Sequence, residues 1–524
     1  MPLIALLLCL CSLPGTARAV FTEQLTLRPL PAINQVLGRF EFSVDENSRP
    51  DNGVSLFPNV LRQILEKHDA ESFHLTFSVG KYVDWRYGSA QSVNGSGFTH
   101  APFGTRLQVV LRGDTNAQQR WRGITSELGG IFSASLSQMN EAVVTGLLPS
   151  STPQELGAFP MTNADSEHVF LHGSLAREEL CTENLTPWLK MLPCRAISGL
   201  GSLIDSINAL SGEYLSMSLL AKRSSDNRWI LRQHLTTVQS FNEHNKERWS
   251  LGSLFFANGE SSTDISACPL AEESVIQTED MESSNVVTTD LRETPVSLFT
   301  PWFKDWESAV KESSLRDSYK AQRDVVSVHR FATGYGQVRG GIAVQLQNNH
   351  PSCDMHVTYH DVIPWYLRIY FHTFQATIDG NKLKAQELIQ SFEFVPAELR
   401  SQPNQLRLKA FLPANNTLVF SLQMEKVFLR LSEHPPDANR GFDISSGVAT
   451  FQVDSKCGKN TGSLFFTTTL YTEPLLVPLP TPDFSMPYNV ITMTSTVVAF
   501  FVGTMLNALL RKAPRLKQMM TTSP

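Results

Sequence analysis

Between Val490 and Leu510 the chain runs for 21 residues without a charged side chain, and Arg511, Lys512, Arg515 and Lys517 follow with no acidic residue among them. At about 1.5 Å per residue, a helix of that length matches a hydrocarbon core about 30 Å thick. Lipid leaves no water for backbone N–H and C=O groups, so a lone apolar span must be helical. Short loops rich in Lys and Arg stay on the cytosolic side. Residues 488–510 are therefore expected to form a transmembrane helix, with 511–524 as a cytosolic basic tail. At the other end, the apolar run Leu3–Leu13 and the small residues of Ala17-Arg18-Ala19 fit a signal peptide over 1–19. Together they predict a single-pass type I chain with its bulk outside the cytosol. An apolar C-terminal span can also belong to a cleaved lipid-attachment signal, but four cations beyond it oppose that reading.

Charge and cysteine count narrow the class. The formal net charge is −6 with the cationic tail included, so the exported part is more acidic still and repels nucleic acid. Cys9 and Cys11 would leave with the signal peptide, leaving Cys181, Cys194, Cys268, Cys353 and Cys457. In an oxidising compartment that odd number implies a free thiol or a bond to another chain. Sequons begin at Asn94, Asn184 and Asn415. Pro187 directly after the second disfavours a glycan there, so Asn94 and Asn415 are the glycosylation candidates.

Patterning predicts a mainly β chain with some α, built from sandwich-type domains and the one C-terminal helix. In an N-terminal α+β domain over 20–258, Phe73, Leu75, Phe77 and Val79 alternate with polar residues, as in a half-buried strand. Arg106–Gly113 reads as another strand. Phe57–His68 and Trp121–Leu136 have helical spacing, and Gly129-Gly130 should interrupt or end the second helix. Residues 259–324 are acidic, rich in Ser and Thr, and read as an exposed connection. From 325 to 487 β-branched and aromatic runs separated by Pro, Gly and Asn predict a β-sandwich-like domain ending in a proline-rich stem. The prolines from Pro474 to Pro487 would make that stem stiff.

No motif argues for catalysis. HExxH, GxSxG and CxxC are missing. Gly334, Gly336, Gly340 and Gly341 do not have the spacing of a dinucleotide loop and favour a tight hairpin. His356 and His360 would share a strand face about 13 Å apart, too far for joint metal ligation, and read as a solvated face. The segment CTENLTPWLKMLPC (Cys181–Cys194) has two readings. It is a loop closed by a Cys181–Cys194 bridge, or a protruding loop whose Cys181 bonds a partner while Cys194 pairs elsewhere. In the span, Ser495, Ala499, Gly503 and Asn507 recur every four residues on one helical face. Small residues at that spacing admit close helix packing.

Several of these segments resemble the PIG-T family, the T subunits of the glycosylphosphatidylinositol (GPI) transamidase complex. They are FHLTFSVGKYVDWRYG (Phe73–Gly88), GIFSASL (Gly130–Leu136), CTENLTPWLKMLPC, FATGYG (Phe331–Gly336), VIPWYLRIYFHTF (Val362–Phe374) and LYTEPLLVPLPTPDFSMPYNVI (Leu470–Ile491). The acidic middle and the tail past Leu510 resemble the family much less. The resemblance implies a non-catalytic scaffold subunit in the endoplasmic reticulum membrane, with no cofactor, beside a caspase-like catalytic subunit and other membrane subunits. The proprotein C-terminal signal and the GPI lipid would be substrates of the complex. By motif position it assigns Cys181 to a disulfide with the catalytic subunit, and Cys194 and Cys268 to an internal pair. A function of another class, a lumenal glycan- or lipid-binding receptor, predicts ligand binding without stable membrane partners.

Overall fold

The computed structural model describes residues 20–47, 55–87, 100–113, 115–141, 143–145, 168–224, 228–240, 250–255, 264–279, 286–298, 325–334, 336, 338–430, 433–434, 440–453, 467–481 and 485–520. Among them the chain is mainly β, in two sheet-built units and one long C-terminal helix.

The N-terminal unit is a single ten-stranded sheet. Its strands are β1 (Val20–Leu30), β2 (Gln35–Asn47), β3 (Ala70–Val79), β4 (Gly104–Arg112), β5 (Val144–Thr145), β6 (His168–Leu175), β7 (Tyr214–Arg223) and β8 (Arg228–Ser240). After the short β9 (Asp264–Ile265) come β10 (Glu273–Glu279) and β11 (Val286–Asp290), and then β12 (Val296–Ser297), which pairs with β9. The order across the large sheet is β11-β10-β1-β2-β8-β7-β3-β4-β6-β5. Every pairing is antiparallel except β1 with β10. Alternation fixes the faces. In β2, Phe40, Phe42 and Val44 enter the core, while Arg39 and Glu41 take the opposite side. Helices Asn59–Lys67, Ala117–Phe132 and Thr182–Lys190 cover the apolar face. They contribute Leu61, Ile64, Leu65, Trp121, Ile124, Leu128, Leu185, Trp188 and Leu189. Ala117–Phe132 runs through Gly129-Gly130 and stops at Ser133, whose φ of 52° is left-handed.

The reading of 259–324 as an exposed connection fails at β9 to β12. Ile265, Cys268, Ala271, Ile276, Leu291 and Leu298 belong to the same core as β1 and β2. The edge strand β11 and its neighbour β10 bury few apolar residues, and SVIQTE in β10 hides its single fully buried one, Ile276, among polar ones. Composition alone therefore mimics a linker.

The C-terminal unit is the sandwich. One sheet has order β13-β14-β19-β16, from β13 (Val326–Thr333), β14 (Arg339–Asn348), β16 (Leu367–Ile378) and β19 (Asn416–Lys426). The other has order β17-β18-β15-β21-β22, from β15 (Met355–Ile363), β17 (Ile389–Val395), β18 (Asn404–Leu412), β21 (Val448–Val453) and β22 (Thr467–Tyr471). Their inner faces interdigitate around Val344, Leu346, Val357, Tyr359, Leu408, Leu418, Phe420 and Phe451. The glycine-rich segment is the β13–β14 hairpin. The proline-rich stem is only partly free, because β23 (Leu475–Val477) pairs with β20 (Phe442–Ile444) and buries Leu475, Val477 and Leu479.

The two units meet along a polar seam. Glu473 binds Lys81 at 2.7 Å and His329 at 3.0 Å, joining both units. Arg177 lies 3.5 Å from Asp443. His360, expected on a solvated face, is 2% exposed, and its ring sits 5.9 Å from that of His172 in β6. The docking of one sheet on another buries it, which its own strand cannot reveal. His356, by contrast, packs on Phe411 and meets Gln390 at 3.3 Å.

Candidate docking site around Cys181

The segment Cys181–Cys194, read from sequence as a loop, is helical over Thr182–Lys190, because Leu185, Trp188 and Leu189 at helical spacing have the sheet to bury against. The chain accordingly turns from extended backbone at Cys181 into helix Thr182–Lys190. Asn184 makes this start rigid. Its Oδ1 accepts the Cys181 N–H at 2.8 Å and faces the Cys181 Sγ–H at 3.0 Å, while its Nδ2 donates to the Phe132 carbonyl at 2.6 Å. The Asn184 side chain is buried, so it is committed to the cap, and its sequon offers no accessible amide. Trp188 Nε1 donates to Ser218 O at 3.0 Å, pinning the helix to β7. On this fixed base the Cys181 thiol is exposed and unpaired.

The other cysteines divide differently. Cys194 and Cys268 are joined by a disulfide with Cα atoms 6.0 Å apart, which overturns the reading of a local Cys181–Cys194 loop. Cys353 is disulfide-bonded, and Cys457 lies outside the described residues. Beside the 194–268 bridge sits Glu23, a buried carboxylate that no local pattern singles out. It accepts from Leu200 N at 3.0 Å, Cys268 N at 3.0 Å and Ser274 Oγ at 2.6 Å. Burial pushes its carboxyl above the ordinary value, and these hydrogen bonds pull it partly back. Gly199 has φ of 72°, and a Cβ there would lie 2.5 Å from Glu23 Oε2, so only glycine lets the loop close over the carboxylate. Ile197 and Leu270, just past the two bridged cysteines, remain 81% and 50% exposed.

The remaining candidates are dispersed. Asn415 is exposed, with φ of 55°, in the turn between β18 and β19. Asn94 lies outside the described residues. The C-terminal helix spans Ser485–Met520, and Tyr488–Leu510 within it is long and apolar enough to cross a membrane. Ser495, Ala499, Gly503 and Asn507 lie on it, all exposed in the isolated chain. The hydroxyls of Thr492, Thr494, Ser495 and Thr496 donate to carbonyls three or four residues earlier. Their polarity is thus satisfied within the helix. Among the described residues no group of three or more His, Cys, Asp or Glu could hold a metal ion.

The chain matches the family described as "Gpi16 subunit, GPI transamidase component" over residues 4–250 and 234–523. It is 33% identical to the GPI-anchor transamidase component PIGT of Homo sapiens, covering 98% of this chain and 94% of that one. It is 32% identical to PIGT of Mus musculus, over 96% and 91%. It is 28% identical to the GPI transamidase component GPI16 of Saccharomyces cerevisiae, over 94% and 88%. Matched along nearly its whole length, the chain belongs to the Gpi16 family of GPI transamidase components.

Proposed function

We propose that the chain is a non-catalytic scaffold of the GPI transamidase, facing the lumen of the endoplasmic reticulum and anchored as a type I protein by Tyr488–Leu510. In this reading it stabilises a caspase-like catalytic subunit, to which Cys181 is disulfide-linked, and helps shape the site where a GPI anchor replaces a proprotein's C-terminal signal. The observation that carries the reading is the treatment of Cys181. Among the described residues it is the one free cysteine, exposed at a rigid helix start, while Cys194, Cys268 and Cys353 are bridged. The exposed Ile197 and Leu270 beside the bridge offer apolar contact to the same partner. A covalent link makes the remaining contacts effectively intramolecular. A fixed partner also keeps water from an acyl intermediate that would otherwise hydrolyse.

Asn415 at its exposed turn, and Asn94, would carry glycans. The face of Ser495, Ala499, Gly503 and Asn507 would pack against other membrane helices of the complex. The decisive experiment is Cys181→Ser in the full-length chain, run on non-reducing gels after mild-detergent purification. The expected result is loss of a disulfide-linked heterodimer while the chain remains membrane-bound. An unchanged band removes Cys181 from the bridge.

A further inference from the structure

The outer face of the β13-β14-β19-β16 sheet carries a groove of about 700 Å³, within the size range of small-molecule sites. One wall is the β13–β14 hairpin. Gly341 lets it close down, since a Cβ there would lie 2.5 Å from Thr333 Oγ1 and 2.8 Å from Leu422 O. The other wall is an irregularity in β16. Tyr370 pairs with Gln423, and the next pair is Gln375 with Ser421, so four residues bulge out of the ladder. Phe371 and Phe374 of the bulge turn inward, with ring centroids 4.0 Å from Phe394 and 4.3 Å from Phe392. His372 and Thr373 are left lining the groove, the His372 ring 5.7 Å from Tyr370. Thr373 Oγ1 locks the wall, donating to Tyr370 O at 2.6 Å and accepting from Gln423 N at 2.9 Å.

The lining sorts the possible ligands. It contains two amides, several hydroxyls, two ring platforms and one guanidinium, and no carboxylate. A divalent cation has no charged oxygen ligands there. A single Arg339 is weak provision for a polyanion, and Glu425 opposite it in the ladder is engaged with Arg368 at 3.7 Å. An added peptide strand needs an open sheet edge. The groove lies over β14 and β19, which are paired on both sides. The side chains of Arg339, Ser421 and Gln423 hold no hydrogen bond or ion pair among the described residues and border the groove. Uncommitted amide, hydroxyl and guanidinium groups beside ring faces match a ligand with many hydroxyls and apolar C–H faces.

We propose that this groove binds a neutral oligosaccharide. The sugar's C–H face stacks on one of the two rings, Tyr370 or His372, which stand at 65° to each other, and its hydroxyls bond Gln423, Ser421 and Arg339. Such a glycan can be protein-borne or the head group of a lipid, and the chemistry recognised is the same.

The test uses the full-length protein in mild detergent, with two arms. One presents high-mannose oligosaccharides released from glycoproteins on an array, and the other presents nanodiscs containing a neutral glycolipid. Inorganic phosphate serves as competitor. Gln423→Ala removes an amide without adding bulk, and Ser421→Trp fills the floor. Binding in either arm, weakened at least tenfold by both variants at unchanged melting temperature, supports the site, and the responding arm identifies the source. Silence in both arms, equal binding by Gln423→Ala, or displacement by phosphate overturns it. Should Ser421→Trp fail to fold, Gln423→Ala alone decides. None of these readouts depends on the Cys181 bridge, so the two proposals fail separately.

Discussion

At the scale of single residues, Asn184 shows how a sequence motif can be present and its usual meaning absent. The sequon is intact, yet the amide is spent bridging Cys181 and the Phe132 carbonyl. Asn184→Ala removes the cap and leaves a buried carbonyl unmet, which costs about 1–3 kcal/mol. The expected outcome is a lower melting temperature of the full chain and no change in glycan mass attributable to Asn184. Cys181 itself was legible as part of an odd set of thiols, and its family motif pointed to it. Its fixed orientation was not, because that comes through Asn184 from Phe132, fifty-two residues before Asn184 in the chain. Glu23 was invisible for the same reason. Its three donors come from residues 177 or more positions away, and no local pattern marks a carboxylate whose partners are that remote.

At the scale of elements, the disulfide and the anchor carry the clearest expectations. The Cys194–Cys268 bridge closes a separation of 74 residues. A loop of that length implies about 4 kcal/mol from restriction of the unfolded chain. Cys268→Ser should therefore lower thermal stability sharply and expose Cys194 to thiol-specific alkylation, read by mass spectrometry; an unaltered melting curve counts against the bridge as a stabiliser. In the anchor, a Cβ at Gly503 would meet nothing within 4 Å in the isolated chain. Gly503→Leu should leave this helix and its membrane insertion unchanged while reducing co-purification of other membrane subunits. Full recovery of partners with Gly503→Leu leaves the span a plain anchor. The span was readable from sequence because lipid imposes one pattern. The strands β10 and β11 were not, because strands at the margin of a sheet with few buried apolar residues share their composition with a linker.

At the scale of the whole molecule, the seam between the two units carries a pH signature. His172 and His100 are pulled down to about 3 and His360 well below its ordinary value. Burial is the main cause in each, reinforced by Arg106 beside His172, Lys81 beside His100, and His172, Arg407 and Arg106 around His360. The folded protein keeps these rings neutral, whereas the unfolded chain binds protons below pH 6.5. Their contribution is present above 6.5 and lost as pH falls toward about 3. Glu473 follows a lower window. Burial raises its carboxyl, but hydrogen bonds from Lys81 and His329 outweigh this and hold it down to about 2, so its contribution fades only between 4.5 and 2. Between pH 7.5 and 5 the melting temperature should fall through the seam histidines together with His74 and His234, which burial likewise holds down at about 4 and about 3, and His172→Phe should reduce that slope. Equal slopes for the two proteins would show that His172 contributes nothing to the pH dependence.

What the residues determined unaided was set by short-range rules. The charge-free span, the alternating β strands and the odd thiol count each follow from hydrophobic spacing or arithmetic within a few dozen positions. What tertiary structure alone decided was set by contacts between distant segments. It joined 264–298 to the first sheet, docked part of the proline stem on the sandwich, buried His360 against His172 and opened a groove over β14 and β19. Burial of a polar group depends on what covers it, and the covering surface lies elsewhere in the chain.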